Sequence, residues 1–330
     1  MRSSQILGLG HYVPERVVTN ADLSKLLDTS HDWIVQRTGI EERRWVEGDV
    51  GPSDLAQPAV EQALAAANIT AQDLDLIIFA TLSPDVNFPG SSCILQGKLG
   101  APGTATLDIR NQCTGFVYGL SVADQFIKTG AMDHVLVVGG EVHSSGLDMS
   151  PRGRDVTVLF GDGAGAAVVG PATGDSGIID SRLHADGAKY NLLTLQAPAS
   201  RSNPRLTAEM MAAGKHYPSM DGRNVFKNAV VRLPEVVLEI LDAHGFTTAD
   251  IDLLVPHQAN LRINQMAART LKLDESQVFN NIHKYGNTTA ASIPIALHEA
   301  VQQGRVKSGD LVVLAAFGAG LTWGANLIRW

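Results

Sequence analysis

One nine-residue pattern occurs twice in the chain. Thr70-Ala71-Gln72-Asp73-Leu74-Asp75-Leu76-Ile77-Ile78 returns 177 residues later as Thr247-Thr248-Ala249-Asp250-Ile251-Asp252-Leu253-Leu254-Val255. Each copy follows a stretch with helical spacing, Val60–Asn68 in the first case and Val236–His244 in the second. The apolar run that starts at His134 has its counterpart at Leu311, at the same shift. Chance convergence of one helix–loop–strand unit is common. Two units in the same order at one shift point to an internal duplication. The seam falls near Gly170–Gly177, which divides the 330 residues into halves at 1–172 and 173–330.

Within each half, short runs rich in Val, Ile and Leu alternate with helical patterns. Leu74–Thr81, His134–Val142, Ile251–Pro256 and Leu311–Ala316 read as strands covered on both faces. Ser53–Asn68, Cys113–Thr129, Asn224–His244, Leu261–Leu271 and Thr288–Gln303 read as helices. Phe116, Leu120, Ala123 and Ile127 share one face, and Gly130 ends that helix. The expected class is α/β with a largely parallel core. A cleft where the halves meet is the ordinary place for a substrate.

Charge and composition exclude several roles. Net charge is −8, which argues against general nucleic-acid affinity, although a local basic patch is compatible with it. The two cysteines, Cys93 and Cys113, cannot build a disulfide framework, and no Cys/His spacing suggests a metal site. Leu311–Ile328 runs 18 residues without a charge, but Gly318, Gly320, Gly324, Thr322 and Asn326 break it into a strand, a turn and a second strand rather than a membrane anchor. The first eleven residues lack the apolar core and cleavage site of a secretory signal, so a cytoplasmic protein is expected.

Three residues stand out at the junctions of elements. Cys113 lies where a strand-like segment runs into a helix, and the unpaired N–H groups of a helix start lower a thiol pKa. A thiolate there suits acyl transfer. Taken alone, Cys113 also fits the commoner role of a small buried hydrophobe, and Cys93, inside the helix-like Ser91–Leu99, is left with that role. His257 ends a buried strand, the position at which α/β proteins place chemistry, although most histidines are structural. Asn287 precedes a helix, where a Gly-Asn pair is also an ordinary turn and cap. If the halves pack about a pseudo-two-fold axis, these three positions converge.

At these residues the chain resembles the β-ketoacyl-acyl carrier protein synthase III family of the thiolase superfamily. The similar blocks are Gly8-Leu9-Gly10-His11-Tyr12-Val13-Pro14, Trp33-Ile34-Val35-Gln36-Arg37-Thr38-Gly39-Ile40, Phe160-Gly161-Asp162-Gly163-Ala164-Gly165-Ala166-Ala167, Leu183-His184-Ala185-Asp186-Gly187 and Phe317-Gly318-Ala319-Gly320-Leu321-Thr322-Trp323-Gly324. They span essentially the whole chain. The resemblance implies a thiolase-like five-layered αβαβα fold of two duplicated halves, usually dimeric. It implies a Cys–His–Asn triad at Cys113, His257 and Asn287, with the backbone N–H groups of Cys113 and Ala319 holding an oxyanion. The implied reaction is acyl transfer from acyl-coenzyme A to Cys113, then decarboxylation of a malonyl thioester on acyl carrier protein and carbon–carbon bond formation. No metal or resident cofactor is implied; coenzyme A enters as the substrate thioester.

By the same resemblance, Trp33 and Arg37 sandwich the adenine of coenzyme A, and Arg152 meets its nucleotide end. Gly222 and Asn260 line the pantetheine tunnel. Arg262 and Arg269 dock an acidic carrier protein, where the residues alone suggest a solvated face. Phe88 reaches into the partner subunit's acyl pocket. Three departures bear on substrate identity: Asn111 and Gln112 replace small alanines, Ala319 replaces the central glycine of Gly-Gly-Gly, and Gln196–Asp221 is longer than its usual counterpart. The alternatives are a paralogue that uses aryl- or long-chain donors and a cysteine thioesterase. Weaker ones are a dinucleotide oxidoreductase, for which the glycine spacing is wrong, and a non-catalytic acyl-binding module.

Overall fold

A computed structural model describes residues 2–330 of the chain. One main sheet contains β1 (Ser4–Tyr12), β2 (Leu76–Ala80), β3 (Ala105–Ile109), β4 (Val135–Glu141) and β5 (Gly163–Pro171), in the order β1-β5-β4-β2-β3. The other contains β6 (Gly177–Ala185), β7 (Leu253–Pro256), β8 (Leu311–Gly318) and β9 (Thr322–Arg329), in the order β7-β8-β9-β6. The two orders match strand for strand, with β6, β9, β8 and β7 taking the places of β1, β5, β4 and β2. Where the second sheet would have a counterpart of β3, only an isolated parallel bridge between Leu254 and Val278 remains. The chain leaves the first sheet at Pro171 and enters the second at Gly177.

The six longer helices that concern the site are α1 (His31–Thr38), α2 (Pro52–Ala67), α3 (Gly115–Thr129), α4 (Gly222–Asp242), α5 (Leu261–Leu271) and α6 (Ser292–Gln302). Strand alternation sorts the side chains into layers. Leu76 and Ile78 of β2 pack inward with Phe116, Leu120 and Ile127 of α3 and Ile293 and Leu297 of α6. Ile77 and Phe79 turn outward, onto Leu55, Ala59 and Val60 of α2. In the second sheet Val312 and Leu314 face the central helices, while Val313 and Ala315 face Leu233, Val237 and Ile240 of α4. Helices α3 and α6 therefore form a middle layer between two sheets, with α2 and α4–α5 outside, giving five layers αβαβα. Each fully buried Leu or Ile in the middle layer contributes roughly 1.5–3 kcal/mol.

Several expected boundaries shift. The helices expected from Cys113 and Thr288 begin at Gly115 and Ser292, each after a single 3₁₀ turn, Gln112–Thr114 and Thr289–Ala291. Leu261–Leu271 is observed as expected, and Gly130 ends α3 in the left-handed region with φ 76°. The apolar stretch 311–328 forms β8, a turn and β9; no helix among the described residues is long and apolar enough to cross a membrane. Cys93 is corrected: it lies on the outer face of the helix Ser91–Lys98 and is exposed, because Ser91, Ser92 and Leu95 take the inward positions.

Candidate active site

The nucleophile candidate sits between the end of β3 and the start of α3. Gln112, immediately before it, holds φ at 44°, a left-handed backbone that costs a non-glycine residue about 1–2 kcal/mol. That kink presents Cys113, which is 6% exposed, to the end of β8. Gly318 must be glycine there, since a Cβ would stand 2.6 Å from Cys113 Cβ and 3.1 Å from its Sγ. The close approach brings the backbone N–H groups of Ala319 and of Cys113 itself near enough to the sulfur to favour its anionic form. Donors so placed are suited to an oxyanion formed beside that sulfur.

The thiol does not behave as the helix-start argument expects. Burial, and secondarily the charge of Glu141, push Cys113 up to about 12, against the opposing pull of the two N–H groups. The helix proper begins two residues further on, and desolvation outweighs what remains of its field. Glu141 is itself buried and pushed up to about 7 by that burial, although it accepts hydrogen bonds from Thr81 Oγ1 (3.1 Å), Ser83 Oγ (2.5 Å) and the Leu82 and Ser83 backbone (both 3.2 Å).

His257 follows β7 directly, and its N–H donates to Ala315 of β8 at 2.8 Å. Its Nδ1 lies 2.6 Å from Ser292 Oγ at the head of α6, and its Nε2 is buried without a hydrogen-bond partner. Burial pushes the imidazole down to about 3, so it is neutral at physiological pH. When the Ser292 hydroxyl donates to Nδ1, Nε2 carries the proton and becomes a donor; with the hydroxyl turned, Nε2 is an acceptor.

Asn287 is held by the backbone on both sides. Its N–H donates to Leu159 at 2.8 Å, and its carbonyl accepts from Gly161 at 3.1 Å. Its Oδ1 accepts from the Thr289 N–H at 2.9 Å, which leaves Nδ2 as a free donor. Thr289 is again left-handed, with φ 50°. The packing of this turn against the first sheet requires Gly139, where a Cβ would meet Ala290 O at 2.3 Å. Cys113, His257 and Asn287 thus come from both halves of the chain and line one cavity of about 1690 Å³, together with Ala319.

The same cavity reaches Trp33, Arg37, Gly222, Asn260 and Arg262. The Arg37 guanidinium lies 4.3 Å from the Trp33 ring centre. Arg152 is not among the residues that line this cavity: it is tied to Asp148 (2.7 Å) and to Ala212 O (3.2 Å), and it faces the Gly214–Tyr217 turn. Arg154, which the sequence reading did not single out, also lies beside Trp33, 4.7 Å from the ring centre. The two arginines are two apart in one short segment, and no spacing rule distinguishes them. Arg154 heads the helical turn Arg154–Thr157, and that sets its direction. Asn260 lines the cavity while its side chain is committed to structure: Oδ1 caps α5 at Arg262 N (2.9 Å), and Nδ2 donates to Arg37 O (2.9 Å).

Arg262 lies at the rim over Phe226, joined there by Arg223 and Lys227, whereas Arg269 is seven residues along the exposed side of α5 and does not line the cavity. Phe88 is 83% exposed at the edge of the cavity, beside exposed Val86. Seven residues of 196–221 line the cavity, among them Pro198, Arg205, His216 and Pro218. Among the described residues no cluster of His, Cys, Asp and Glu could hold a metal ion.

Comparison with known proteins bears on the whole chain. Two family models match, "3-Oxoacyl-[acyl-carrier-protein (ACP)] synthase III" over residues 107–187 and its C-terminal counterpart over 241–330. A β-ketoacyl-[acyl-carrier-protein] synthase III of Caldanaerobacter subterraneus subsp. tengcongensis is 47% identical over 327 residues, covering 98% of this chain and 97% of that protein. One from Thiobacillus denitrificans is 48% identical, with complete coverage of both. The crystal structure of 3-oxoacyl-[acyl-carrier-protein] synthase III from Aquifex aeolicus superposes with a TM-score of 0.91 at 44% identity, over 99% of this chain and 100% of that one. Likeness of this extent, over a duplicated five-layered fold with cysteine, histidine and asparagine gathered at the seam, means that the chain belongs to the 3-oxoacyl-[acyl-carrier-protein] synthase III family.

Proposed function

We propose that the protein catalyses the decarboxylating condensation of an acyl-coenzyme A starter with malonyl-acyl carrier protein, the opening step of fatty acid synthesis. The observation that carries this reading is the convergence of Cys113, His257 and Asn287 on one cavity, with the Ala319 N–H near the sulfur. In the first half-reaction the Cys113 sulfur bonds to the acyl carbon, the carbon–sulfur bond to coenzyme A breaks, and the thiol proton leaves with coenzyme A. The N–H groups of Cys113 and Ala319 hold the oxyanion of the tetrahedral intermediate.

In the second half-reaction carbon dioxide departs from the malonyl group and its electron pair moves onto the thioester oxygen. His257 Nε2 and Asn287 Nδ2 donate to that oxygen. Both sit in a water-poor site where fixed donors need no reorganisation. The resulting carbon nucleophile attacks the acyl-cysteine, a carbon–carbon bond forms, and the sulfur is released to take back a proton. A neutral His257 is the state this role requires, and burial maintains it.

Trp33 and Arg37 of the cavity wall, with Arg154 packed on Trp33 from outside that lining, hold the adenine end of coenzyme A, and Gly222 and Asn260 border its pantetheine arm. Arg262 at the cavity, with Arg269 farther along the exposed side of α5, offers positive charge to an acidic carrier protein on an otherwise acidic chain. No metal or resident cofactor enters this scheme. A homodimer fits the surface, since β3 is an edge strand with one neighbour and Leu107 on it, like Val86 and Phe88, stands exposed; the cytoplasm is the proposed location. The test is to incubate the protein with mixed acyl-coenzyme A donors, with and without malonyl-acyl carrier protein. Mass spectrometry is expected to find the acyl group on Cys113 and a 3-oxoacyl product on the carrier. Free acid as the sole product would assign a thioesterase instead.

A further inference from the structure

His143 is a buried histidine that the scheme above does not use. It follows β4 and is 8% exposed. Its backbone N–H donates to Asp162 Oδ1 at 2.7 Å, and its ring packs 4.7 Å from the ring of Phe160. Its Nε2 lies 2.6 Å from Thr289 Oγ1. Thr289, in turn, donates its N–H to Asn287 Oδ1, and Phe160 forms a parallel bridge with Asn287. The four residues close a ring of contacts in which the Thr289 N–H meets the Asn287 carboxamide and Phe160 meets the Asn287 backbone.

We propose that His143 is a positioning residue for the second half-reaction: by holding the Thr289 side chain it fixes the left-handed turn whose N–H orients the Asn287 carboxamide, so that Nδ2 faces the thioester oxygen. The proposal rests on the role given above to Asn287. Thr289 is in a backbone region that Thr adopts only when its surroundings enforce it. Beside the packing of the turn on Gly139, two side chains hold Thr289 itself: Asn287, through its Oδ1, and His143, through its ring. Burial pushes the imidazole down to about 3, so the ring remains neutral and its bond to Thr289 does not switch at physiological pH. A 2.6 Å hydrogen bond from His143 to Thr289 in series with a 2.9 Å bond from Thr289 to Asn287, all on buried residues of the cavity wall, ties the carboxamide to the imidazole.

The experiment separates the half-reactions in the full-length protein: acylation of Cys113 read by intact mass, and decarboxylation of malonyl-acyl carrier protein read as released carbon dioxide. His143→Leu and Thr289→Val are each expected to lower decarboxylation by about tenfold or more relative to acylation. His143→Gln places an amide where Nε2 was and is expected to recover most of the loss. The double variant His143→Leu/Thr289→Val is expected to be no worse than Thr289→Val alone, because both cut the same chain. Loss of both half-reactions in proportion, or no recovery with Gln, would overturn the proposal. Asn287→Ala is measured alongside: unimpaired decarboxylation there would refute the underlying reading of Asn287, whereas impairment there with normal His143 variants would refute only the positioning role.

Discussion

Gln112 and Thr289 lie 177 residues apart, at the shift of the sequence repeat, and both adopt left-handed backbone, with φ 44° and 50°. The other two non-glycine residues in that region, Asn68 and Lys272, are ordinary helix C-caps. Gln112 directly precedes Cys113, and Thr289 follows Asn287 by two. Each opens the 3₁₀ turn before a central helix. The duplicated fold has thus kept the same strained corner in both halves, beside Cys113, the proposed nucleophile, in one and beside Asn287, the proposed hydrogen-bond donor, in the other.

Gln112→Gly tests whether the strain serves chemistry. Glycine adopts this backbone without the steric cost, so the melting temperature is expected to hold or rise, by up to about 1 kcal/mol of added stability. Acylation of Cys113 is expected to slow, because the corner no longer confines the sulfur. Calorimetry alongside the acylation rate checks both; a faster enzyme would contradict the account.

Gly318→Ala inserts a methyl group 2.6 Å from Cys113 Cβ. The end of β8 and the Cys113 turn cannot both keep their places, and displacement of about 1 Å costs on the order of 100-fold in rate. Acylation is expected to fall by about that factor, with the circular dichroism spectrum unchanged. Wild-type rates would mean that the sulfur does not react at the position observed.

Burial and Glu141 together hold the Cys113 thiol protonated, so alkylation by iodoacetamide is expected to be slow at pH 8 and to rise towards pH 12. Glu141→Gln removes the charge that raises the thiol and is expected to speed alkylation at any fixed pH in that range. Stability carries the opposite sign of test. A carboxyl raised from 4.5 to about 7 contributes stability that is complete below pH 4.5 and lost as pH rises through 7. Denaturation midpoints of Glu141→Gln are expected to decline less over that window than those of the native chain.

Arg154→Ala is expected to raise KM for the acyl-coenzyme A donor by about three- to tenfold, the usual scale of a cation–aromatic contact, with little change in kcat. Arg152→Ala, whose side chain is spent on Asp148 and Ala212, is expected to change KM less and to lower stability instead. Steady-state kinetics of both variants decide between them; the reverse order would place Arg152, not Arg154, at the nucleotide end.

The duplication, the alternation of strands and helices and the three junction residues were legible in the amino-acid order, because periodicity and repeat spacing are local or one-dimensional properties. Leu261–Leu271 and Gly130 fell where caps and apolar spacing placed them. What depends on the surroundings of a side chain was not legible. The thiol pKa rises rather than falls because desolvation is set by what the fold packs around Cys113, including Glu141 from another strand. That Arg154 packs on Trp33 turns on the direction of one helical turn, and the exposure of Cys93 on which face of its helix meets α2. The contact between His143 and Thr289 joins residues 146 positions apart. Sequence by itself determined the two-fold design and the chemistry available at its seam; only the tertiary structure decided how dry that seam is and which groups hold the reacting ones in place, since both are properties of three-dimensional packing.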